Sequence, residues 1–513
     1  MITPAPNKAK WNEGSFILPE NASFSTEDAL SGAKEGIRTL LPMLSSDGEG
    51  AQIRFLYDAS LPEEAYKLDI DASGAQVAAS GIPGAVHAAA TLRQLFASKN
   101  ALPHCEIEDA PRFSWRGLSM DVCRHFFPVS TLEKLIDALA LYKFNTLHLH
   151  LSDDQGYRIE SERFPKLNSV SAWRKSSAVK RGHGEVQDNI PHGGFYTKAE
   201  IKSLVAYAGA RGIMIVPEID MPGHTSAILA AYPALACDGR ATEVATNYGI
   251  KDFSAHILCA GEENVYDFLT ALIDEIAELF PAPYFHLGGD EAVKREWKKC
   301  PKCQAKLHEL GLSDERELQG YMLERMRKHL EEIGKEAIIW NDGMAGTTGK
   351  AFICQHWTPP AIEGEKRTAA HLEAGGRAIM SGFNHLYFDY PYAMTPLEKT
   401  YSYRVLPKGV SKEAASRVLG LECAMWTEWV EDENKLFFNL LPRLAAAGEL
   451  AWSRDAARDY GKFTQNLNAQ YRIYEQMGLP CARGMERKQG FFKRANIVRA
   501  FYTRDAYVEL PRE

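Results

Sequence analysis

Acids, histidines and tryptophans stand at the ends of a series of short apolar runs. Asp121 and Arg124 lie at the end of Trp115 to Val122, Asp153 and Asp154 follow Thr146 to Ser152, and Glu218, Asp220 and His224 close Ile213 to Ile219. Asp290 and Glu291 follow Tyr284 to Gly288. Three more runs finish in tryptophan-bearing segments: Trp340 with Asp342, Trp357 after His356, and Trp426 followed by Glu428. Ionised acids make charge-assisted hydrogen bonds to hydroxyls and indole faces stack on C–H surfaces, so the combination suits a sugar. Hydrolysis of a glycosidic bond also needs a protonated carboxyl beside the leaving oxygen. Glu291, just past an apolar run, is the expected acid through partial burial, with Asp290 in a different role.

Those runs must be strands for this placement to matter. Together with Ala378 to Gly382, and with Ala337 to Asn341, Phe352 to His356 and Val418 to Met425 bearing the tryptophans, they number eight and alternate with helical patterns. That is the signature of a parallel barrel, whose active site lies at the carboxyl ends of its strands. The expected fold is α/β: a (β/α)8 TIM barrel over 113–453, after a small α+β domain over 1–112 and before a helical C-terminal extension over 454–513. Ala101 to Pro111, with a proline near each end, reads as a linker. Ser130 with Glu133 and Thr197 with Glu200 fit capping boxes at helix starts. Only Asp342 to Ala351 separates the fifth and sixth strands, too little for a full crossover helix, so the ring is expected to be irregular there. Trp115, Trp173 and Trp452 read as core.

Composition narrows the partners. A net charge of -8 with no basic stripe argues against nucleic acid, and no apolar run reaches the roughly 18 residues of a membrane span. The start, Met1 to Phe24, has no apolar core behind its few positive charges, and the nine cysteines include several in apolar surroundings. The expectation is a cytoplasmic chain with free thiols. Cys300 and Cys303 form a C-x-x-C with no second pair at zinc-finger spacing, and read as a helix start. His148 and His150 could begin a metal site completed by His224, His286 and Asp290, but two histidines on one face of an apolar strand are more often satisfied by neighbours. Neither metal nor cofactor is expected. Asn21 heads a glycosylation sequon that carries no weight without an export signal.

The segments RGLSMDVCRHFFP, NTLHLHLSDDQGYR, GIMIVPEIDMPGHT, HLGGDEA, IIWND, CQHW, LYFDYP and LECAMWTEW run in order through Arg116 to Trp452. In this the chain resembles glycoside hydrolase family 20, the β-N-acetylhexosaminidases, and the region around AVHAAATLRQLF is similar, more weakly, to the small domain that precedes that family's barrel. The resemblance implies an exo-acting, retaining hydrolase of terminal β-linked N-acetylglucosamine or N-acetylgalactosamine, acting on glycans or chitooligosaccharides. It implies that Glu291 is the general acid/base and that Asp290 orients the 2-acetamido group, whose carbonyl oxygen closes on the anomeric carbon to an oxazolinium. It further implies that Arg124 and Glu428 bind sugar hydroxyls, that Asp153 and His224 support the acid, and that Trp340, Trp357 and Trp426 wall the pocket. Tyr387 would hold the acetamido carbonyl and Asp389 a hydroxyl. Tyr157 stands where relatives often carry tryptophan, a change expected to touch packing or the outer site.

Three other readings stay open on the residues alone. A retaining β-glycosidase would use a rim carboxylate such as Glu428 as nucleophile, a metal-dependent barrel hydrolase would cleave an amide or ester, and a sugar-binding protein would bind without turnover.

Overall fold

A computed structural model of the chain describes residues 2–46, 50–96, 101–179, 186–248, 256–346, 349–358, 364–485 and 490–503. Eight parallel strands close a barrel: Trp115–Asp121, Thr146–His150, Met214–Glu218, Tyr284–His286, Glu336–Trp340, Ile353–His356, Arg377–Met380 and Val418–Met425. They are the eight runs read from the sequence. The eighth pairs in register with the first, Gly420 beside Trp115 and Met425 beside Met120, which removes both sheet edges. Side chains alternate across each strand. Trp115, Val216, Ile338, Ile353 and Ile379 pack together in one buried cluster, while His148, Glu218, His286, Gln355 and Glu422 form a buried layer of polar groups.

The connections follow helix chemistry with two differences from expectation. Thr197 and Glu200 form the capping box: the Glu200 amide donates to Thr197 Oγ1 at 3.1 Å and the Thr197 amide to Glu200 Oε2 at 2.8 Å. The helix Val129–Leu141 instead begins after Pro128, so Ser130 lies inside its first turn and makes no cap. Proline, whose ring fixes φ, occupies the N-cap itself, and Ser130 stands two positions beyond it, past the place from which a hydroxyl caps. Between the fifth and sixth strands the described residues hold only a short 3₁₀ turn, Gly343–Gly346. Contrary to expectation the ring is regular there, Ile338, Ile339 and Trp340 pairing in parallel with Ile353, Cys354 and Gln355, and a register shift lies instead at Ala378/Ile379, between the seventh and eighth strands.

The N-terminal domain is a seven-stranded mixed sheet covered by helices, the longest being Ile82–Phe96. The segment expected as a linker is a strand of this sheet: Ala101–Asp109 pairs antiparallel with both Lys8–Ile17 and Tyr66–Asp71. Its proline is tolerated because Pro103 lies at the irregularity between Trp11 and Ser15 of the neighbouring strand, where a ladder bond is dispensable. Residues Gly84 to Leu95 are all buried, since the helix is covered on both sides by sheet and barrel. The C-terminal helix Tyr460–Gln476 docks on this helix, with Gln470 Nε2 donating to Gln94 Oε1 at 2.9 Å and Arg93 Nη2 to Gln476 Oε1 at 2.7 Å. Trp115 and Trp452 are core, whereas Trp173 is half-exposed in a short strand, Trp173–Arg174, that pairs with His192–Gly193. No helix among the described residues is long and apolar enough to cross a membrane.

A buried charge fastens the two domains. Lys143, fully buried and in the left-handed region at φ 60, places its ammonium 3.0 Å from Asp109 Oδ2 and 4.4 Å from the Trp452 ring centroid. Trp452 Nε1 donates to the same Asp109 oxygen at 2.9 Å. Removing one partner of a buried ion pair strands the other, at a cost of about 3–5 kcal/mol. Asp109→Ala is therefore expected to lose stability of that order in urea unfolding, and Lys143→Met on top of it to recover part of the loss. An Asp109→Ala protein as stable as the parent contradicts this account of the interface.

Candidate active site

Loops at the carboxyl ends of the strands carry nearly every residue singled out from the sequence. The first holds Asp121 and Arg124. Asp121 is buried and accepts from the amides of Cys123 (2.8 Å) and Thr427 (3.0 Å), which ties the end of the first strand to that of the eighth. Its second role is electrostatic: Arg124 Nη1 lies 3.1 Å from Asp121 Oδ2 and Nη2 lies 2.9 Å from Asp153 Oδ2. Arg124 Nε donates to Gln155 Oε1 at 2.9 Å, and the guanidinium sits 5.1 Å from the Trp426 ring centroid. Against the cost of burial, Asp153, Asp121 and Glu428 hold the guanidinium charged.

A line of alternating charges runs from the barrel interior to its mouth. Glu422 accepts from Trp115 Nε1 (2.8 Å) and Gln355 Nε2 (2.7 Å) and faces His148 Nδ1 at 2.9 Å. His148 Nε2 lies 3.2 Å from Glu218 Oε2, and Glu218 also meets His150 Nδ1, His286 Nδ1 (2.8 Å) and Trp340 Nε1 (2.8 Å). His150 Nε2 bonds Asp153 Oδ2 at 2.7 Å, and Asp153 Oδ1 stands 3.3 Å from His224 Nδ1. The other nitrogen of His224 is 3.6 Å from both Asp290 Oδ2 and Glu291 Oε2. One imidazole thus spans the adjacent acids.

Burial alone would discharge these histidines. The carboxylates prevail: Glu218 and Glu422 bring His148 up to about 9, and Glu218 with Asp153 brings His150 up to about 10. Conversely, against burial, Arg124 and His224 hold Asp153 well below the usual carboxylate range and the charged His150 and His148 do so for Glu218, while burial pushes His286, which faces the same carboxylate, down. The H-x-H histidines are therefore members of this line, sharing Glu218 between them, with His148 reaching on to Glu422 and His150 to Asp153.

The two adjacent acids are presented by strained backbone. Gly288 and Gly289 have φ of 64 and 96, and Glu291 itself has φ 46. Gly288 is required, since a Cβ there would fall 1.8 Å from Asp220 Oδ1. Three bonds hold the turn: Gly289 N to Asp220 Oδ1 and Glu291 N to Asp342 Oδ2, both 2.9 Å, and Gln319 Nε2 to Gly289 O at 2.7 Å. His224 is likewise held at positive φ, 52. Such conformations persist only where the surroundings enforce them. The turn sets the acids apart in environment, Glu291 being 27% exposed against 13% for Asp290. It is Asp290 whose carboxyl is driven far up, by burial and then by Asp220, Asp342 and Glu291. Glu291 is partly buried, as the sequence reading expected, and Asp290 more deeply so.

Aromatic rings enclose the space beside them. Trp340 and Trp426 lie 6.0 Å apart, Tyr387 and Trp426 6.2 Å, and Tyr387 stacks with Trp357 at 6.4 Å. Trp357 Nε1 donates to Asp342 Oδ1 at 2.9 Å, linking this wall to the turn that carries Glu291. Tyr387 is brought to the rim by a bridge with Ala424 at the end of the eighth strand, and its hydroxyl feels Asp290 and Asp389. Tyr157 is buried core, not an outer-site residue. Sequence reasoning did not single out Glu422, Gln155, Thr427 or Gln319, which hold the named residues; an acid in the middle of an apolar strand was the available signal for Glu422.

The sequence model of the glycosyl hydrolase family 20 catalytic domain matches residues 113–455, and that of the family's domain 2 matches residues 1–110. The chain belongs to glycosyl hydrolase family 20. Among family 20 relatives it is 34% identical to β-hexosaminidases of Porphyromonas gingivalis and Vibrio furnissii, over 83% and 87% of this chain. It spans 56% of the first protein's length and 75% of the second's. In solved structures it is similar to a family 20 exo β-N-acetylglucosaminidase from Vibrio harveyi in complex with N-acetylglucosamine, with TM-score 0.84, 30% identity, and coverage of 95% of this chain and 78% of that one. A β-N-acetylhexosaminidase from Bacteroides fragilis matches with TM-score 0.80 at 28% identity, covering 94% and 96%.

The line of charges makes the family 20 barrel pH-sensitive. An unfolded histidine titrates near about 6.5, so the stability from charged His148 and His150 is fully present below that pH and is lost as pH rises through their folded values of about 9 and about 10. The thermal midpoint is expected to fall between pH 7 and 10 by more in the parent than in His150→Gln. Parallel curves contradict a charged His150.

Proposed function

We propose that this chain is an exo-acting β-N-acetylhexosaminidase that removes terminal β-linked N-acetylglucosamine or N-acetylgalactosamine from glycans or chitooligosaccharides with retention, using the substrate's own acetamido oxygen as nucleophile. The observation that carries this reading is the adjacency of Asp290 and Glu291 on one strained turn, both 3.6 Å from His224. Neighbouring residues cannot readily flank a sugar ring as an opposed nucleophile and acid. They can serve one face, with Glu291 protonating the leaving oxygen and later deprotonating water, and Asp290 accepting from the acetamido N–H and facing the positive charge of the oxazolinium.

The surroundings support that division. Asp290 sits buried among Asp220, Asp342 and Glu291, a crowding that raises its carboxyl and that a cationic intermediate would relieve. His224, backed by Asp153, can adjust the proton on Glu291 without itself touching sugar. Tyr387, stacked on Trp357, would bond the acetamido carbonyl while Trp340, Trp357 and Trp426 would pack on the ring face. Arg124, Glu428 and Asp389 would hold the hydroxyls. Relatives named as N,N'-diacetylchitobiase and a structure holding N-acetylglucosamine support an amino-sugar substrate.

Glu291→Gln is expected to lower kcat on natural linkages by about 10²–10⁴-fold, the range for loss of a general acid/base, and to retain more activity on aryl glycosides whose leaving group needs no proton. Asp290→Asn should lose rate on both. A thiazoline mimic of the oxazoline should inhibit potently while the plain β-glucoside is not hydrolysed. Equal turnover of the glucoside would favour Glu428 as an enzyme nucleophile instead.

A further inference from the structure

Cys300 and Cys303 are not an isolated pair. Cys237 and Cys259, from the long loop after the third barrel strand, meet them in space, and the four Sγ atoms all lie within 4.8 Å of one another. Cys259 Sγ is 3.8 Å from Cys300 and 3.6 Å from Cys303, and Cys237 is 3.8 Å from Cys303. In a disulfide each sulfur has one partner at about 2.0 Å; here Cys259 has two at nearly equal, longer separations. A regular tetrahedron with edges of 3.8 Å has its centre about 2.3 Å from each corner, which is the zinc–thiolate distance. We propose that these four cysteines are a structural zinc site, closed by four thiolates and separate from the sugar-binding pocket.

Its surroundings fit the charge and its place gives it a purpose. Four thiols that release their protons to solvent as they bind a divalent ion leave a dianionic centre. Lys298, Lys299, Lys302 and Lys306 flank the two later cysteines, and Cys300 begins the helix Pro301–Glu309, whose amino end favours negative charge. The Gly261 amide also donates to Cys259. Thiolate-only, tetrahedral sites select zinc over harder ions. Two loops are joined by it: the one after the third strand, which carries His224, and the one after the fourth, which carries Asp290 and Glu291. The joint is close, since a side chain at Gly261 would meet the Lys302 and Cys303 backbone at 2.3–2.5 Å. Trp297 Nε1 donates to Leu258 O at 2.9 Å, and Leu258 N to Pro222 O at 3.1 Å, so the site is continuous with the backbone that holds His224.

The full chain, purified without chelator, should carry about one zinc per molecule through gel filtration by elemental mass spectrometry, and Cys300→Ser/Cys303→Ser should fall below about a tenth of that. If the double variant does not fold, the parent protein decides: a mercurial thiol reagent should release zinc in step with modification of four cysteines. Zinc-free parent protein overturns the proposal, whether its four cysteines are alkylated in the native state or joined as disulfides in peptide mass maps. Unchanged zinc in a folded double variant overturns it equally.

Discussion

Glu218 at the centre of the barrel is the constraint on which the site depends. A carboxylate buried there is tolerable only because three histidines and an indole N–H surround it. Those histidines in turn hold Glu422 and Asp153, so each charge is admitted by the next. The result is a rigid polar axis inside an otherwise apolar barrel, and it ends at His224 under the two acids. Positions at the mouth are inherited from this axis, since a shift of Asp153 would move Arg124 and His224 together.

Strain at the mouth is the counterpart of rigidity below. Two glycines, Glu291 and His224 all occupy the left-handed region, within one turn and one loop that face each other. Asp220 and Asp342 bind backbone amides of the turn and leave the Asp290 and Glu291 side chains for other work. The acids that hold the backbone also crowd Asp290 and raise its carboxyl, so scaffold and chemistry use the same groups.

Much of this was legible in the sequence because barrel strands announce their ends: apolar runs stop at Asp121, Asp153, Glu218, Asp290 and Trp340, and the rim follows. What was not legible depends on pairing over distance. Ala101 to Asp109 reads as a linker until its neighbours, 40 and 90 or so residues away in the chain, turn it into a strand. Ser130 reads as a cap until Pro128 starts the helix earlier. Cys300 and Cys303 read as a lone pair because their companions, Cys237 and Cys259, arrive from another loop at no regular spacing. The deeper burial of Asp290 beside Asp220 and Asp342 likewise depends on loops distant in the chain, which residue types alone do not encode.

The central claim is that the acetamido oxygen attacks the anomeric carbon, and its nucleophilicity can be varied without touching the protein. Aryl β-glucosaminides whose N-acyl group is acetyl, monofluoroacetyl, difluoroacetyl or trifluoroacetyl differ mainly at that oxygen. The account predicts that kcat/KM falls steeply and monotonically along the series, by more than about tenfold overall. A flat series would mean that a group of the enzyme is the nucleophile.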